Sequence, residues 1–238
     1  MSSLTNANQY STLWRDESDF LKSHDIYDKL SEFTPVGNIL EIGCGVGNGT
    51  MSLLKKHSVL SLDSNPYLIK EAQSRLESSG LHCNIRKCDF FDLSEEDKST
   101  IRDFKPQVLV AWFIGSHGED IYKHTEEQPD PGIKSKLYRE KIEDIIVSDA
   151  MLVDTVKYIH LVARGAVREG VSKDVIFAES KRDYDTYVFN KVGFEVIDVQ
   201  QIPWPVEDSK FQYIAAPNPE FTAEKIIPMI TSLIAKKI

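Results

Sequence analysis

The sequence predicts an α/β fold: a doubly wound, seven-stranded, mostly parallel sheet with helices on both faces and an antiparallel last strand. Short apolar runs alternate with amphipathic stretches along most of the 238 residues, and this alternation is typical of βαβ units. The apolar run at residues 38–42 leads directly into a glycine-rich turn. A parallel strand that is buried on both faces would have this composition.

Length, charge and cysteine content limit the classes of protein that fit. A chain of 238 residues can form one large α/β domain with its own core. The net charge of −9 argues against an extended nucleic-acid surface, because such a surface needs clustered Lys and Arg. Cys44, Cys83 and Cys88 lack the spacing of a metal site, so no metal is predicted. Without a signal peptide or a long apolar run, a cytoplasmic protein with no membrane span is expected.

Hydrophobic periodicity and turn residues predict the remaining elements. After the strand at 38–42, strands are predicted at residues 58–63, 83–88, 107–113, 175–178, 194–199 and 211–215. Helices are predicted within residues 11–33, at 66–80, from Ser94 onward, and at 136–147, 152–170, 184–191 and 220–238. A strand at 158–162 is the alternative to part of the helix at 152–170, but the helical spacing continues through these residues.

These elements divide the chain into an N-terminal helical cap (1–37), a main domain (38–216) and a C-terminal helix (217–238). Residues 115–148 are longer than an ordinary connection and are predicted to be an insertion that caps the substrate site. The C-terminal helix is expected to pack on its own domain or to form the contact of a homodimer.

The turn after the first strand predicts a pocket for a nucleoside cofactor. Its glycines permit positive φ and a close approach of the backbone to a ligand, and the N–H groups of the following helix face the turn. A dinucleotide site would need Gly-x-Gly-x-x-Gly. Counted from Gly43 the third glycine position holds Asn48, and counted from Gly45 it holds Thr50. An NAD oxidoreductase is therefore disfavoured. A Walker phosphate loop is disfavoured too, because no Gly-Lys-Ser/Thr follows the turn.

The remaining pattern, Glu41-x-Gly43-x-Gly45-x-Gly47, resembles motif I of the class I S-adenosylmethionine-dependent methyltransferases, which have a Rossmann-like fold. The resemblance covers roughly residues 38–216 and is strongest in the cofactor half. Asp63 lies about 20 residues beyond the turn, at the position of a ribose-binding acid. The resemblance implies that the cofactor-binding residues are Glu41, Gly43, Cys44, Gly45, Gly47, Asp63, Ser64, Asp89, Phe90 and Trp112. Asp89 would accept from the adenine amino group, and Phe90 or Phe91 would stack on the ring.

The acceptor side is less well defined. The fourth strand ends in Trp112-Phe113, whereas enzymes of this family that methylate adenine N6 or glutamine often carry Asp/Asn-Pro-Pro-Tyr/Phe there. His117 is the candidate general base, needed only if the acceptor must lose a proton. Substrate-binding candidates are Tyr10, Trp14, His117 and Tyr122, the first two as residues of a lid. The acidic residues of 115–148 hint at a cationic acceptor, although solvated loop charge explains them as well.

The leading interpretation is transfer of a methyl group from S-adenosyl-L-methionine to a small molecule or a small side chain, with S-adenosyl-L-homocysteine as product. An aminopropyltransferase is an alternative, but Trp112-Phe113 stands where that family carries an acid-rich signature. A non-catalytic cofactor-binding protein is a further alternative, which the combined presence of Glu41, Asp63 and Asp89 disfavours. The identity of the acceptor atom stays open.

Overall fold

The computed structural model describes residues 4–209, 211 and 225–238, and its strands form one seven-stranded sheet. The strands are β1 (Ile39–Ile42), β2 (Val59–Asp63), β3 (Asn84–Lys87), β4 (Val108–Trp112), β5 (Tyr158–Arg168), β6 (Phe194–Pro203) and β7 (Ile226–Lys237). Their order in the sheet is β3-β2-β1-β4-β5-β7-β6. The pairs from β3 to β5 are parallel, and β7 runs antiparallel between β5 and β6. The predicted fold class is confirmed.

Eight α-helices connect or cover these strands in the described residues. They are α1 (Ala7–Ser23), α2 (Ile26–Phe33), α3 (Asn48–Leu54), α4 (Pro66–Ser78), α5 (Glu95–Phe104), α6 (Gly118–His124), α7 (Pro131–Ile146) and α8 (Lys173–Tyr184). Side-chain caps start several of them: Asn6 and Gln9 form a capping box at α1, and Ser94 and Asp97 form one at α5. A π-helix at Asp185–Phe189 follows α8.

The sheet is covered on both faces, as the composition of its central strands indicates. Along β4, Val108 and Val110 pack on the side of α1 and α2, whereas Leu109 and Ala111 pack on the side of α5 and α7. Successive strand residues point to opposite faces, so a strand covered twice needs apolar residues throughout. All five residues of β4 are buried. The glycine turn after β1 is thereby held at the edge of a rigid core.

The predicted helix at 152–170 is wrong, because β5 occupies most of that stretch and pairs with β4. The rejected alternative, a strand at 158–162, is the observed structure. Leu152, Val156, Ile159, Ala163 and Val167 are spaced by three or four residues, which fits a helix. A strand apolar on both faces produces the same spacing by chance, and the period alone cannot separate the two.

Two further predictions are wrong. Residues 175–178 lie in α8, whose first turn is capped by Ser172, rather than in a strand. The predicted C-terminal helix at 217–238 is wrong in its described part, where β7 (Ile226–Lys237) lies between β5 and β6; residues 217–224 lie outside the described residues. The sheet needs a strand there, and the β-branched Ile and Thr residues of this segment suit it. The predicted strand at 211–215 lies outside the described residues apart from Phe211.

Strands β5 and β7 extend past the end of β4. The last residue pair between β4 and β5 is Trp112 with Val162, but β5 continues beside β7 to the pair Arg168 with Ile226. This extension stands beyond the carboxyl end of β4, where α/β sheets bind their ligands. In the described part of the chain, no helix has the length and apolar character needed to cross a bilayer.

Candidate active site

A cleft opens at the carboxyl ends of β1 to β4 and has two adjoining parts that share lining residues. The inner part encloses about 50 Å³ and lies against the glycine turn, with Asp63, Trp112 and Trp14 in its walls. The outer part encloses about 520 Å³ and lies between the residues that follow β3 and the start of α6. Ser64, Asn65, Phe90 and Tyr138 line both parts. The cleft therefore runs along the edge where the predicted cofactor residues converge.

The glycine turn has a conformation that other residues adopt with difficulty. Gly43, Gly45 and Gly47 have φ of +79°, +52° and +87°. A Cβ at Gly45 would lie 2.5 Å from the indole Nε1 of Trp14, and one at Gly47 would lie 3.1 Å from Ala72. Gly43 and Gly45 line the inner cleft, whereas Gly47 supports the turn against α4. The turn thus needs glycine for both backbone angle and close packing.

Asp63 is the buried acid of the inner cleft. Its Oδ2 accepts from the backbone N–H of Gly45 at 3.0 Å, and its Oδ1 accepts from that of Asn65 at 2.9 Å. The Cys44 thiol donates to the same carboxylate at 3.7 Å. Only 5% of Asp63 is exposed, and burial raises its pKa to about 6 against these hydrogen bonds. Cys44 therefore supports Asp63 and is not among the residues that line the cleft.

Glu41 lies behind the turn and not in the cleft. Its carboxylate accepts from the hydroxyls of Thr50, at 2.7 Å, and Ser61. These bonds connect β1 with α3 and β2. Burial raises the pKa of Glu41 to about 7. In this structure the acid of the predicted motif joins the elements that shape the turn, and it does not line either part of the cleft.

The predicted adenine-binding residues border the outer cleft. Asp89 accepts from the backbone N–H of Phe91 at 2.9 Å, and its other oxygen lies 3.7 Å from Lys123 Nζ. Phe90 lines both parts of the cleft. The ring of Phe91 is stacked on His124 with centroids 3.7 Å apart. Since one face of Phe91 is covered, Phe90 is the better of the two predicted stacking residues.

The predicted insertion supplies α6 and α7, and several of its polar groups bond to one another. Tyr138 donates to Asp120 at 2.6 Å, and Lys141 pairs with Glu127 at 2.7 Å. The Nζ of Lys134 lies 4.3 Å from the ring centre of Tyr122, which lines neither part of the cleft. These contacts weaken the reading of this segment as an acidic surface for a cationic acceptor.

His117 lies at the outer cleft, away from the inner walls. It is the N-cap of α6, and its Nδ1 accepts from the backbone N–H of Asp120 at 3.3 Å. The ring borders the outer part together with Asp89. A role as general base stays a prediction, and the observed contact is structural.

Tyr10 and Trp14 project from α1 into the inner cleft. Their rings are parallel with centroids 6.5 Å apart. Helix α1 is fixed at its start by Asn65, whose side chain donates to the Ala7 carbonyl at 3.0 Å. Near its end, Asp19 accepts from Arg75 Nη2 at 3.0 Å. The two predicted lid residues are therefore held over the glycine turn.

Sequence reasoning missed four residues that shape this region: Phe113, Tyr138, His160 and Arg164. Phe113 has φ of +56° directly after β4, which is unusual for a bulky residue. His160 is fully buried, and its Nδ1 accepts from Trp112 Nε1 at 3.4 Å and lies 2.9 Å from the hydroxyl of Thr34. Burial lowers its pKa to about 3. No local pattern marks these residues, because their partners are distant in sequence.

Within the described residues, no three His, Cys, Asp or Glu side chains lie close enough together to hold a metal ion. The acidic residues that line the cleft lie in its two different parts. Asp63 faces the inner part, whereas Asp89 and Asp120 border the outer part.

Known proteins resemble this chain in fold and, over residues 39–101, in sequence. Residues 39–101 match a family model described as a methyltransferase domain. A search of curated proteins gave no match. One similar solved structure is the complex between the Haloferax volcanii Trm112 methyltransferase activator and the putative methyltransferase, with 12% identity and a TM-score of 0.50. That alignment covers 96% of this chain and 97% of the other.

Magnesium protoporphyrin IX methyltransferase from Synechocystis PCC 6803, with bound SAH, is 13% identical with a TM-score of 0.48; 100% of this chain and 90% of the other are covered. At these identities, structural likeness concerns the fold alone. The family match spans β1, the glycine turn and Asp63, and the sheet has the predicted antiparallel last strand. Residues 39–101 are thus similar to a methyltransferase domain, and the seven-stranded sheet has the Rossmann-like fold that the sequence predicts.

Proposed function

We propose that the protein transfers a methyl group from S-adenosyl-L-methionine to a small molecule, releasing S-adenosyl-L-homocysteine. The observation that carries this proposal is the joining of Asp63 to the glycine turn. A buried carboxylate accepts from the backbone of Gly45, and both border one cleft. A nucleoside with vicinal hydroxyls could donate to such a carboxylate in charge-assisted hydrogen bonds.

The chemistry of the cleft fits the cofactor along its length. Asp63 would hold the ribose, and Asp89 with Phe90 would hold the adenine in the outer part. Gly43 and Gly45 bring bare backbone to the inner part, where the amino-acid end of the cofactor would lie. Trp112 borders the same space at the end of β4.

The inner part is narrow in this arrangement. Its volume of about 50 Å³ has room for little more than a water molecule or two. The glycine turn is fixed by the sheet and the backbone of α1 by its bonds to Asn65 and Arg75, so only the side chains of Tyr10 and Trp14 are left to move on this side. We expect these two side chains to shift when the cofactor binds and then to cover it.

The cofactor supplies a methyl group on a positively charged sulfur, which is already a good leaving group. The protein must hold the acceptor in line with that methyl and exclude water, and such positioning can contribute roughly 7–11 kcal/mol. Burial raises the pKa of Tyr10 to about 12. Its hydroxyl would therefore keep its proton at neutral pH and orient a ligand as a donor.

Alternative functions receive less support. An aminopropyltransferase would need acidic residues beside the end of β4, where this chain has Trp112 and Phe113. A cofactor-binding protein without catalysis is the alternative that the assays below distinguish. A homodimer, a cytoplasmic location and catalysis by His117 stay predictions.

Calorimetry of the full chain with S-adenosyl-L-homocysteine, S-adenosyl-L-methionine and NAD tests the cofactor. We expect the first two to bind and NAD not to bind; binding of NAD alone would contradict the proposal. Incubation of the protein with methyl-labelled cofactor and a metabolite extract tests the reaction. Labelled small molecules support a methyltransferase, whereas cofactor binding without any labelled product in extracts would favour the non-catalytic alternative.

A further inference from the structure

His160 is a polar residue of β5 that is completely buried in the sheet. It pairs in register with Val110 of β4 and with Ile234 of β7. Residues paired across strands share a face, so the side chain of His160 lies on the face of Val110, which α1 and α2 cover. His160 is not among the residues that line either part of the cleft. It can therefore affect ligand binding only through another side chain.

The imidazole ring of His160 has polar partners at the end of α2, on β4 and on β7. Its Nδ1 lies 2.9 Å from the hydroxyl of Thr34, the C-cap of α2, and 3.4 Å from Nε1 of Trp112. Its Nε2 lies 2.8 Å from the hydroxyl of Ser232 on β7. The rings of His160 and Trp112 meet edge to face, with centroids 5.4 Å apart and an interplanar angle of 75°. Of these partners, Trp112 is the one that lines the inner part of the cleft.

These partners select one tautomer of the neutral ring. An indole N–H can only donate, and in the described part of the chain Nδ1 of His160 is the acceptor that Trp112 reaches. Nδ1 must then carry a lone pair, so the proton lies on Nε2, from which it is donated to Ser232. The Thr34 hydroxyl donates to the Leu30 carbonyl at 2.9 Å and needs no proton from Nδ1. Burial lowers the pKa of His160 to about 3, so the ring stays neutral at neutral pH.

The bond to His160 determines which way round the indole of Trp112 lies. The second side-chain torsion of tryptophan is broad and roughly two-fold, so the flat ring can turn over within about the same plane. In the observed orientation the six-membered ring faces Gly49, where an added Cβ would lie 3.3 Å from Cε3. Turning the ring over would exchange this contact with the N–H edge. Since Trp112 lines a space of only about 50 Å³, such a turn would change the shape of the inner part of the cleft.

We propose that His160 is a positioning residue for the cofactor site: as the Nε2–H tautomer, it holds the indole of Trp112 in the orientation that shapes the inner part of the cleft for the cofactor. The identity of the ligand rests on the proposed function, whereas the orientation of Trp112 can be tested without any ligand. A purely structural role would need only that both ring nitrogens of His160 have partners. A positioning role requires in addition that substitutions of His160 act on binding through Trp112.

NMR of the full chain without ligand tests the contact itself. The nitrogen chemical shifts of the His160 ring should show the Nε2–H tautomer. The indole N–H signal of Trp112, identified by its loss in Trp112→Phe, should shift and broaden in His160→Leu, because nothing then selects one ring orientation. His160→Asn should keep a sharp signal, since its side-chain oxygen can accept from the indole. Ser232→Ala is the matched control: it removes a buried hydrogen bond from the same imidazole but leaves the bond to Trp112.

Calorimetry with S-adenosyl-L-homocysteine tests the effect on binding. His160→Leu should bind about tenfold more weakly than the wild type, the scale of one lost hydrogen bond, whereas His160→Asn and Ser232→Ala should stay within about twofold. In a Trp112→Phe background, His160→Leu should cause no further loss, because the residue through which it acts is gone. Thermal melting should show that each variant is folded. If His160→Leu does not fold, His160→Gln replaces it, since its longer amide reaches Ser232 rather than Trp112.

Each contrary result bears on one step of the proposal. An Nδ1–H tautomer in the wild type, or an unchanged Trp112 signal in His160→Leu, would show that His160 does not orient the indole. Unchanged affinity in His160→Leu, or the same loss of affinity with and without Trp112, would show that His160 does not position the site through this ring. If the wild type does not bind S-adenosyl-L-homocysteine, the proposed function fails, and the NMR measurements alone decide whether His160 orients Trp112.

Discussion

Replacing Asp63 by Asn should remove a pH-dependent contribution to the stability of the folded protein. The carboxylate is buried, and its pKa is raised from 3.8 to about 6. The folded protein therefore holds this proton more tightly than the unfolded chain does. Stability from this group is greatest below the unfolded pKa and is lost as the pH rises through the folded pKa. An asparagine has no such titration.

The magnitude follows from the two pKa values. A shift of about 2 units corresponds to about 3 kcal/mol when the pH range spans both values. Between pH 4 and pH 7 the unfolded carboxyl is partly ionised at the lower limit, so roughly 2 kcal/mol is expected. The asparagine also disturbs the bonds from Gly45 and Asn65. That cost is similar at each pH and cancels when the two pH values are compared.

The assay is chemical denaturation of the wild type and Asp63→Asn at pH 4, 5, 6 and 7. Relative to the variant, the wild type should lose about 2 kcal/mol of unfolding free energy from pH 4 to pH 7. Asp149→Asn is the control, because Asp149 is exposed. This control should follow the wild type at every pH.

Binding of S-adenosyl-L-homocysteine provides the second measurement. At pH 7, Asp63→Asn should weaken binding by about 1–3 kcal/mol, because ribose hydroxyls would lose a charged acceptor. A stability difference between the wild type and Asp63→Asn that is the same at every pH would show that burial does not raise the pKa of Asp63. Unchanged affinity in a folded variant would show that the acid does not hold the ribose.

Gly45→Ala should destabilise the protein by about 1–3 kcal/mol more than Gly80→Ala in denaturation experiments, because both sites have positive φ but only Gly45 is packed against Trp14. Adding Trp14→Ala should recover part of that loss, and its failure to do so would exclude the contact. The unfolded imidazole of His160 takes up a proton between pH 7 and pH 4, whereas the buried one, with a pKa of about 3, does not. The wild type should therefore lose about 3 kcal/mol more unfolding free energy over this pH range than His160→Gln. Equal losses in the two proteins would contradict this. His117→Ala should lower the free energy of unfolding by about 1 kcal/mol, because the N-cap of α6 is lost. A large loss of turnover with normal cofactor affinity would instead support His117 as the general base.

The glycine turn and Asp63 could be predicted from sequence because their signals are local. A short apolar strand, glycines at alternate positions and an acid at the next strand end occupy fewer than about 30 residues, the span of one βαβ unit. Backbone angles at Gly43 and Gly45 depend little on distant contacts. This is why the cofactor half of the site was predicted in more detail than the acceptor half.

The second half of the sheet was predicted less well for a physical reason. Strands β5 and β7 are interior strands, and their buried stretches carry apolar residues on both faces, so the alternation that marks a half-buried strand is missing there. The spacing of Ile226, Ile230, Leu233 and Ile234 also fits a helix. Only the vacant position between β5 and β6 decides in favour of a strand, and that position is a property of the assembled sheet.

The acceptor side depends on contacts between distant segments. Arg164 acquires its surroundings from α1, β4 and the segment after β6. Tyr138 reaches the cleft because α7 packs on the sheet beside α6. Neither residue type is unusual in its own stretch of sequence, so the sequence alone offered no reason to select it.

The attachment of α1 to α6 affects how ligands can enter. The backbone N–H of Gly118 donates to the Thr5 hydroxyl at 2.9 Å, and that of Glu119 donates to the Thr5 carbonyl at 3.1 Å. These two bonds join the start of α1, which covers the inner part of the cleft, to the start of α6, which borders the outer part. We expect α1 and α6 to move together, so that a ligand that binds in one part of the cleft changes the mobility of the helix at the other part. Hydrogen exchange should then show matching protection changes in both helices, and loading of donor and acceptor should be interdependent.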